Sequence, residues 1–186
     1  MTGKDLSLGP IKEWYVAGYL KAGDNSPDNS FSTTGNPGGL FHYGIGLGTD
    51  LELPWFGKTG LNLLAIHKKE DYGSSAQGEW DGYSLQWNWF KPVYTFDNGA
   101  FVAYQGYMTY DFGMTEVHKD PGKSDYSFQW YHGIYYHINN IALGYGLKIY
   151  KNMANIHDGA SYDINGKSYT QDTTGVGHYF DITYKF

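Results

Sequence analysis

The carboxyl-terminal stretch of the chain alternates. Val176, Phe180, Ile182, Tyr184 and Phe186 fall on alternate positions, with Gly177, Tyr179, Asp181, Thr183 and Lys185 between them. Period two predicts a β-strand with one apolar and one polar face. Seven further segments repeat the pattern. Near Glu13–Lys21, Trp14, Val16 and Leu20 oppose Glu13, Tyr15, Tyr19 and Lys21. Near Phe41–Leu53, Tyr43, Ile45, Leu47, Leu51 and Leu53 oppose His42, Gly44, Gly46, Gly48, Asp50 and Glu52. Gly60–Lys68 alternates poorly, with Leu61, Leu63 and Ala65 against Asn62, Leu64, Ile66 and Lys68. Gly82–Phe90 sets Tyr83, Leu85, Trp87 and Trp89 against Ser84, Gln86 and Asn88. Phe101–Gly113 sets Val102, Tyr104, Met108, Tyr110 and Phe112 against Gln105, Tyr107, Thr109 and Asp111. Tyr126–Ile138 sets Phe128, Trp130, Ile134, Tyr136 and Ile138 against Gln129, Tyr131, Tyr135 and His137. Ile141–Tyr150 sets Leu143, Tyr145, Leu147 and Ile149 against Gly144, Gly146, Lys148 and Tyr150. About eight strands in a single domain, residues 1–186, are expected.

The connections are expected to alternate in length. Long ones fall near Ala22–Gly39, Lys69–Trp80, Met114–Asp125 and Lys151–Thr174, and short ones near Pro54–Thr59, Lys91–Ala100 and Asn139-Asn140. Outer-membrane barrels have this asymmetry, with long loops outside and short turns on the periplasmic side. It places both ends of the chain on the short-turn side. Asp97-Asn98-Gly99 and Asn139-Asn140 suit turns, and Asn165-Gly166 predicts a small hairpin inside the last long loop.

Composition changes the picture in one respect. Aromatics make up 19% of the 186 residues, with 19 Tyr and 6 Trp, and mean hydropathy is −0.51. No run approaches the ~20 apolar residues of a membrane helix. Low hydropathy does not exclude a membrane barrel, because half of each spanning strand is polar. Tyr and Trp suit the membrane interface. The net charge of −6 argues against nucleic acid as a partner. The chain has no cysteine. Met1–Ser7 has neither a basic nor an apolar leader region, so an exported protein is expected to have lost its leader or to be a fragment.

Period alone leaves a soluble lipocalin-like barrel open, with its apolar face inward. Three features favour the membrane barrel. The apolar set is too bulky for a small lumen, the other face is rich in glycine and uncharged polar groups, and the loop lengths alternate.

Several motifs carry a family resemblance. They are Gly3-Lys-Asp-Leu-Ser-Leu-Gly-Pro-Ile-Lys-Glu-Trp-Tyr-Val-Ala17, Pro54-Trp-Phe-Gly-Lys-Thr-Gly-Leu-Asn-Leu63, Glu79-Trp-Asp-Gly-Tyr83, Trp87-Asn-Trp-Phe-Lys-Pro92, Tyr104-Gln-Gly-Tyr-Met-Thr-Tyr-Asp-Phe-Gly113 and the terminal strand Gly177–Phe186. Together they resemble the nucleoside-specific outer-membrane channel (Tsx) family, in its outer-membrane protein K (OmpK) branch. The resemblance implies an all-β, antiparallel transmembrane β-barrel of twelve strands in the bacterial outer membrane. It also implies a narrow channel for passive nucleoside uptake and, in some members, phage adsorption through outer loops. Family members carry about four further strands before the Gly3–Ser7 motif, so the chain is expected to match only the C-terminal two-thirds. Eight strands closed on themselves would have a lumen filled by side chains, so a fragment of the larger barrel is expected.

A nucleoside needs a stacking surface for its base and polar partners for base edge and ribose. Base–aromatic stacking contributes ~1–3 kcal/mol per base. The substrate-binding candidates on the polar face are Tyr15, Tyr19, Asp50, Gln86, Asn88, Gln105, Tyr107, Asp111, Gln129, Tyr131, Tyr135, Lys148, Tyr179 and Asp181. The tyrosines offer ring and hydroxyl, the amides offer donors and acceptors, and charges of both signs suit a neutral polar solute. Glu13, Lys21, Glu52, Lys68 and Lys185 add to the mixed charge. Glycines 44, 46, 48, 144 and 146 are expected to make smooth stretches of wall. The bland alternative for any one tyrosine is that it only fills space.

Two other functions stay open: a surface receptor whose loops bind phage without transport, and an outer-membrane hydrolase. The hydrolase has little to stand on. No Gly-x-Ser-x-Gly or His-Glu-x-x-His motif occurs, and His118 and His157, near Glu116, Asp120 and Asp158, read as loop residues. His132 and His137 fall on opposite faces, a poor metal pair. His67 and His178 read as interfacial. The expectation is a monomer in contact with outer-membrane lipid, not an enzyme, with no cofactor, metal or nucleic acid.

Overall fold

The alternating segments become one antiparallel sheet. A computed structural model describes residues 13–24, 39–71, 77–116, 124–152, 161–164, 167–170 and 174–185. The strands are β1 (Tyr15–Asp24), β2 (Gly39–Leu53), β3 (Gly57–Asp71), β4 (Gln77–Thr95), β5 (Phe101–Glu116), β6 (Ser127–Ile138), β7 (Ile141–Lys151), β8 (Ser161–Ile164), β9 (Lys167–Thr170) and β10 (Gly175–Tyr184). Eight of them form a single sheet in the order β1-β2-β3-β4-β5-β6-β7-β10. β8 and β9 pair only with each other, as the hairpin expected around Asn165-Gly166; those two residues lie outside the described residues. No helix occurs among the described residues.

The short turns form where the sequence supplies positive φ. Gly57, Gly99 and Asn139 have φ of 69°, 81° and 51°, and the Asn98 side chain accepts from the Ala100 N–H at 3.1 Å. The Lys185 N–H donates to the Asn140 carbonyl at 2.8 Å, which puts the end of β10 on the short-turn side. The expected loop asymmetry needs one correction. β3 and β4 stay paired out to Asp71 and Gln77, leaving only residues 72–76 between them, no more than the 96–100 turn at the other end. Lys69, Glu70 and Asp71 continue the ladder, paired with Glu79, Gly78 and Gln77.

Cross-strand partners share a face, so the register arranges side chains in rows. One row runs Asp50–Gly60–Asn88–Tyr107–Tyr131–Lys148–Gly177. The next runs Tyr15–Gly48–Asn62–Gln86–Thr109–Gln129–Tyr150–Gly175. Much of this polar face is buried: Ser84 is 1% exposed and Asp111 4%. The apolar face is open, with Phe180 83% and Ile182 78% exposed, and Val16, Leu20, Ile45, Leu47, Leu63, Tyr145 and Val176 exposed as well. No second layer covers the polar face among the described residues; the sheet curls over it. A soluble barrel buries its apolar side, so this arrangement decides against the lipocalin-like alternative and fits a lipid-facing exterior.

The sheet does not close. β1 and β10 are its edges, so the fold is not the packed eight-stranded cylinder. In hydrocarbon each unpaired backbone group costs several kcal/mol, and the membrane form must pair both edges.

Two details follow from side-chain size. Leu64 and Ile66, which spoil the alternation of β3, lie on the inner face and pack with Trp80 and Met114 in a buried apolar cluster flanked by Ala17 and Tyr19. Trp89 keeps its expected outer face but is 2% exposed. Its ring lies over Gly106, its cross-strand partner, in a belt of rings running Phe56–Trp87–Trp89–Tyr104–His132–Trp130 at centroid spacings of 4.7 to 6.3 Å. Such belts mark barrel–membrane interfaces.

Candidate functional site

The inner face is built from tyrosines laid on glycines. Tyr15, Tyr19, Tyr135 and Tyr179 are the register partners of Gly48, Gly44, Gly144 and Gly146. A Cβ on any of these glycines would fall within 2.2–2.7 Å of the tyrosine ring. The expectation of smooth glycine wall is therefore corrected at these four positions. The missing side chains are seats for rings from the neighbouring strand, which fill the gap and lie along the wall.

Toward the short-turn side the tyrosines converge. Tyr107 and Tyr131 stack with centroids 4.5 Å apart and planes 13° apart. Tyr131 meets Tyr179 at 5.9 Å, and the Tyr135 hydroxyl donates to the Tyr179 hydroxyl at 3.2 Å. These four rings, with Asn88, Gln105 and Asp181, line a groove of about 590 Å³. Tyr107 remains 45% exposed to it. The Lys148 ammonium sits 5.0 Å from the centroids of both Tyr131 and Tyr150, a cation–π arrangement. Seven sequence-predicted residues thus come together in one groove, and Lys148 borders it. The volume suits a small solute, and the groove combines π-faces, hydroxyls, amides and one carboxylate.

The remaining candidates lie elsewhere on the same face. The Tyr15 hydroxyl donates to Asp50 at 3.2 Å, between β1 and β2. Gln86 and Gln129 flank Thr109 in their row. Tyr19 packs against the Leu64–Ile66–Trp80–Met114 cluster. Asp111 forms a buried ion pair with Lys68, whose side chain crosses β4 from β3 to β5. Their side chains are 6% and 11% exposed. Among the described residues, few charged groups are so thoroughly desolvated.

Sequence reasoning missed the short-turn end of this face. Phe101 and His137 stack at 4.5 Å with planes 9° apart, and a His137 ring nitrogen lies 3.2 Å from Gln105 Oε1. Phe90 meets both rings edge-on. The signal was present: Phe101 shares parity with Gln105 and Tyr107, and His137 with Tyr135.

Of the other described histidines, His42 lies buried on the inner face, whereas His67, His132 and His178 lie on the outer face. His132 stacks on Trp130, His178 Nδ1 lies 2.6 Å from the Tyr145 hydroxyl, and His67 pairs with Asp81. His118 and His157 lie outside the described residues. Among the described residues no group of His, Cys, Asp or Glu could hold a metal ion.

Comparison with known proteins gives a consistent result. Residues 1–186 match the family model described as nucleoside-specific channel-forming protein, Tsx. The chain is 41% identical over 186 residues to outer membrane protein OmpK of Vibrio parahaemolyticus, covering all of this chain and 59% of that one. It is 28% identical over 188 residues to nucleoside-specific channel-forming protein Tsx of Salmonella typhimurium, covering all of this chain and 61% of the relative. The Tsx protein of Escherichia coli O157:H7 is also 28% identical, over 201 residues and 63% of its length. The chain spans about three-fifths of the length of these relatives.

Proposed function

The chain belongs to the nucleoside-specific channel-forming (Tsx) family of bacterial outer-membrane β-barrels, and from that premise we propose that it forms the substrate-contacting wall of a passive channel for nucleosides. The observation that carries this reading is the groove of Tyr107, Tyr131, Tyr135 and Tyr179 beside Asn88, Gln105 and Asp181. The Tyr107–Tyr131 pair offers a flat π-surface to a base. The hydroxyls and amides offer hydrogen bonds to base edge and ribose. Charges of both signs repel neither partner of a neutral solute, and contacts of this strength allow release as well as entry.

Planar-bilayer recording tests the proposal. Nucleosides added to one side should lower the conductance in a saturable way, and free ribose should do so far less. Absence of any nucleoside-dependent block counts against it.

A second role rests on the β8–β9 hairpin, an ordered element in the connection between β7 and β10 on the long-loop side. It offers a surface for phage adsorption. Deleting residues 153–173 should then abolish adsorption while leaving solute passage intact.

A further inference from the structure

The outer face bears a depression beside the β4–β5 irregularity. The register skips between Asp81 and Tyr83, so Gly82 lies opposite Gly113 and Met114. Gly113 takes φ of 60°, which favours glycine. Beside this bulge lies a cavity of about 350 Å³, with Ile45, Ala65 and Tyr83 on one side and Tyr43, His67 and Asp81 on the other.

Register explains the division. Ile45–Ala65–Tyr83 is one cross-strand row, and Tyr43–His67–Asp81 is the next row toward the long-connection side. Beyond it, Phe41–Lys69–Glu79 adds charges of both signs. The outward apolar run of β3, Leu61–Leu63–Ala65, stops at His67, and that of β4 stops at Asp81. The cavity therefore straddles the boundary between hydrocarbon and headgroups, in the outer leaflet. Its polar rim is held in place. His67 Nδ1 lies 2.9 Å from Asp81 Oδ1, and Nε2 lies 3.8 Å from Glu79 Oε1. The His67 ring stacks on Tyr43 at 5.0 Å, with planes 27° apart.

We propose that this cavity binds one outer-leaflet glycolipid, with an acyl chain against Ile45, Ala65 and Tyr83 and its sugar head on the His67–Asp81 rim. A recess facing hydrocarbon has acyl chains as its surroundings, and its walls gain dispersion contacts only when a chain fills it. The rim selects the head. Two carboxylates beside an imidazole disfavour a bare phosphate and accept hydrogen bonds from hydroxyl and amide donors. An acylated, phosphorylated aminosugar brings those donors, and Lys69, across from Glu79, suits its phosphate. The site stands whatever passes through the lumen.

The test is lipid retention. The chain is folded into phosphatidylethanolamine–phosphatidylglycerol vesicles with and without lipid A and extracted in mild detergent. Bound lipid is then read by native mass spectrometry, and heat-modifiable electrophoretic mobility reports the folded fraction. Folded chain should keep a single lipid A in preference to either phospholipid. Ala65→Trp, which fills the cavity, and His67→Ala, which removes the centre of the rim, should each lower retention about fivefold or more, equivalent to ~1 kcal/mol. Leu143→Trp, on the same face of β7, should leave it unchanged. Should Ala65→Trp not fold, His67→Ala at the rim decides alone. Equal retention of phospholipid, or undiminished lipid A on folded His67→Ala, overturns the proposal.

Discussion

Tyr179 lies on Gly146. The two are direct partners across β7 and β10, and a Cβ on Gly146 would sit 2.7 Å from Tyr179 Cζ and 2.3 Å from the His132 carbonyl oxygen. The glycine gives up its own packing so that the ring can lie against the wall. Tyr15, Tyr19 and Tyr135 repeat the relationship on Gly48, Gly44 and Gly144. This lets a face carry many large aromatics without their standing up into the lumen.

Even a methyl group at these seats should therefore be harmful. Gly146→Ala pushes on backbone as well as on Tyr179, whereas the three atoms nearest a Cβ on Gly144 all belong to the Tyr135 ring. Overpacking costs about 1–3 kcal/mol, and Gly146→Ala belongs at the upper end because a carbonyl cannot rotate away. Urea midpoints of the folded chain in vesicles should fall for both, and further for Gly146→Ala.

The Lys68–Asp111 pair makes a sharper prediction. It lies on the inner face beside the Leu64, Ile66, Trp80 and Met114 cluster. Replacing one member leaves a desolvated charge without its main partner, at a cost of about 3–5 kcal/mol. Asp111→Asn or Lys68→Met alone should lower the unfolding midpoint strongly. The double variant Lys68→Met/Asp111→Leu should recover most of the loss, because a buried pair exchanged for apolar groups is often neutral. A double variant as unstable as the sum of its parts would refute this account.

How much of this was legible in the sequence depends on the kind of interaction. Period two identified all eight strands of the main sheet and sorted their side chains into two faces, because one residue of slip would invert every side chain. Which face turns outward needed the bulk of the apolar set and the glycine-rich character of the other face as well. The Asn165-Gly166 hairpin and the Asn139 turn followed from local backbone preference. What did not follow was set across strands. Tyr179 and Gly146 are far apart in the chain, and only the register shows that the glycine is a seat. Lys68 and Asp111 meet because Lys68 reaches across β4, a reach no spacing rule encodes. Leu64 and Ile66 looked like poor alternation until Trp80 and Met114 joined them. Phe101 and His137 had the right parity but lacked a reason to be chosen before their rings were seen stacked.

The stacked pair Tyr107 and Tyr131 should dominate nucleoside affinity in the proposed channel. Loss of stacking costs ~1–3 kcal/mol per base, so Tyr131→Ala should raise the half-blocking nucleoside concentration roughly tenfold. Tyr131→Phe, which keeps the π-face, should change it far less. Tyr135→Phe removes a hydroxyl that contacts Tyr179 and should cost about 1 kcal/mol in stability or less. These outcomes separate ring from hydroxyl, read as nucleoside block of conductance and as unfolding midpoint.

Lys148 should set ion preference without setting solute affinity. Its ammonium lies equidistant from Tyr131 and Tyr150, 5.0 Å from each centroid. It shares a row with Asp50, and Asp181 lines the groove beside it. Removing this cation shifts the local balance toward the carboxylates. Lys148→Met should therefore move the zero-current potential in a potassium chloride gradient toward that of a cation-selective pore. Lys148→Arg should hold it in place, since guanidinium keeps both the charge and the cation–π contact. The shift should shrink at high salt, where the Debye length falls to about 3 Å at 1 M. Nucleoside block in Lys148→Met should change less than in Tyr131→Ala, because the ammonium attracts ions while the ring holds the base. An unaltered zero-current potential in a folded Lys148→Met channel would place this ammonium outside the conduction path.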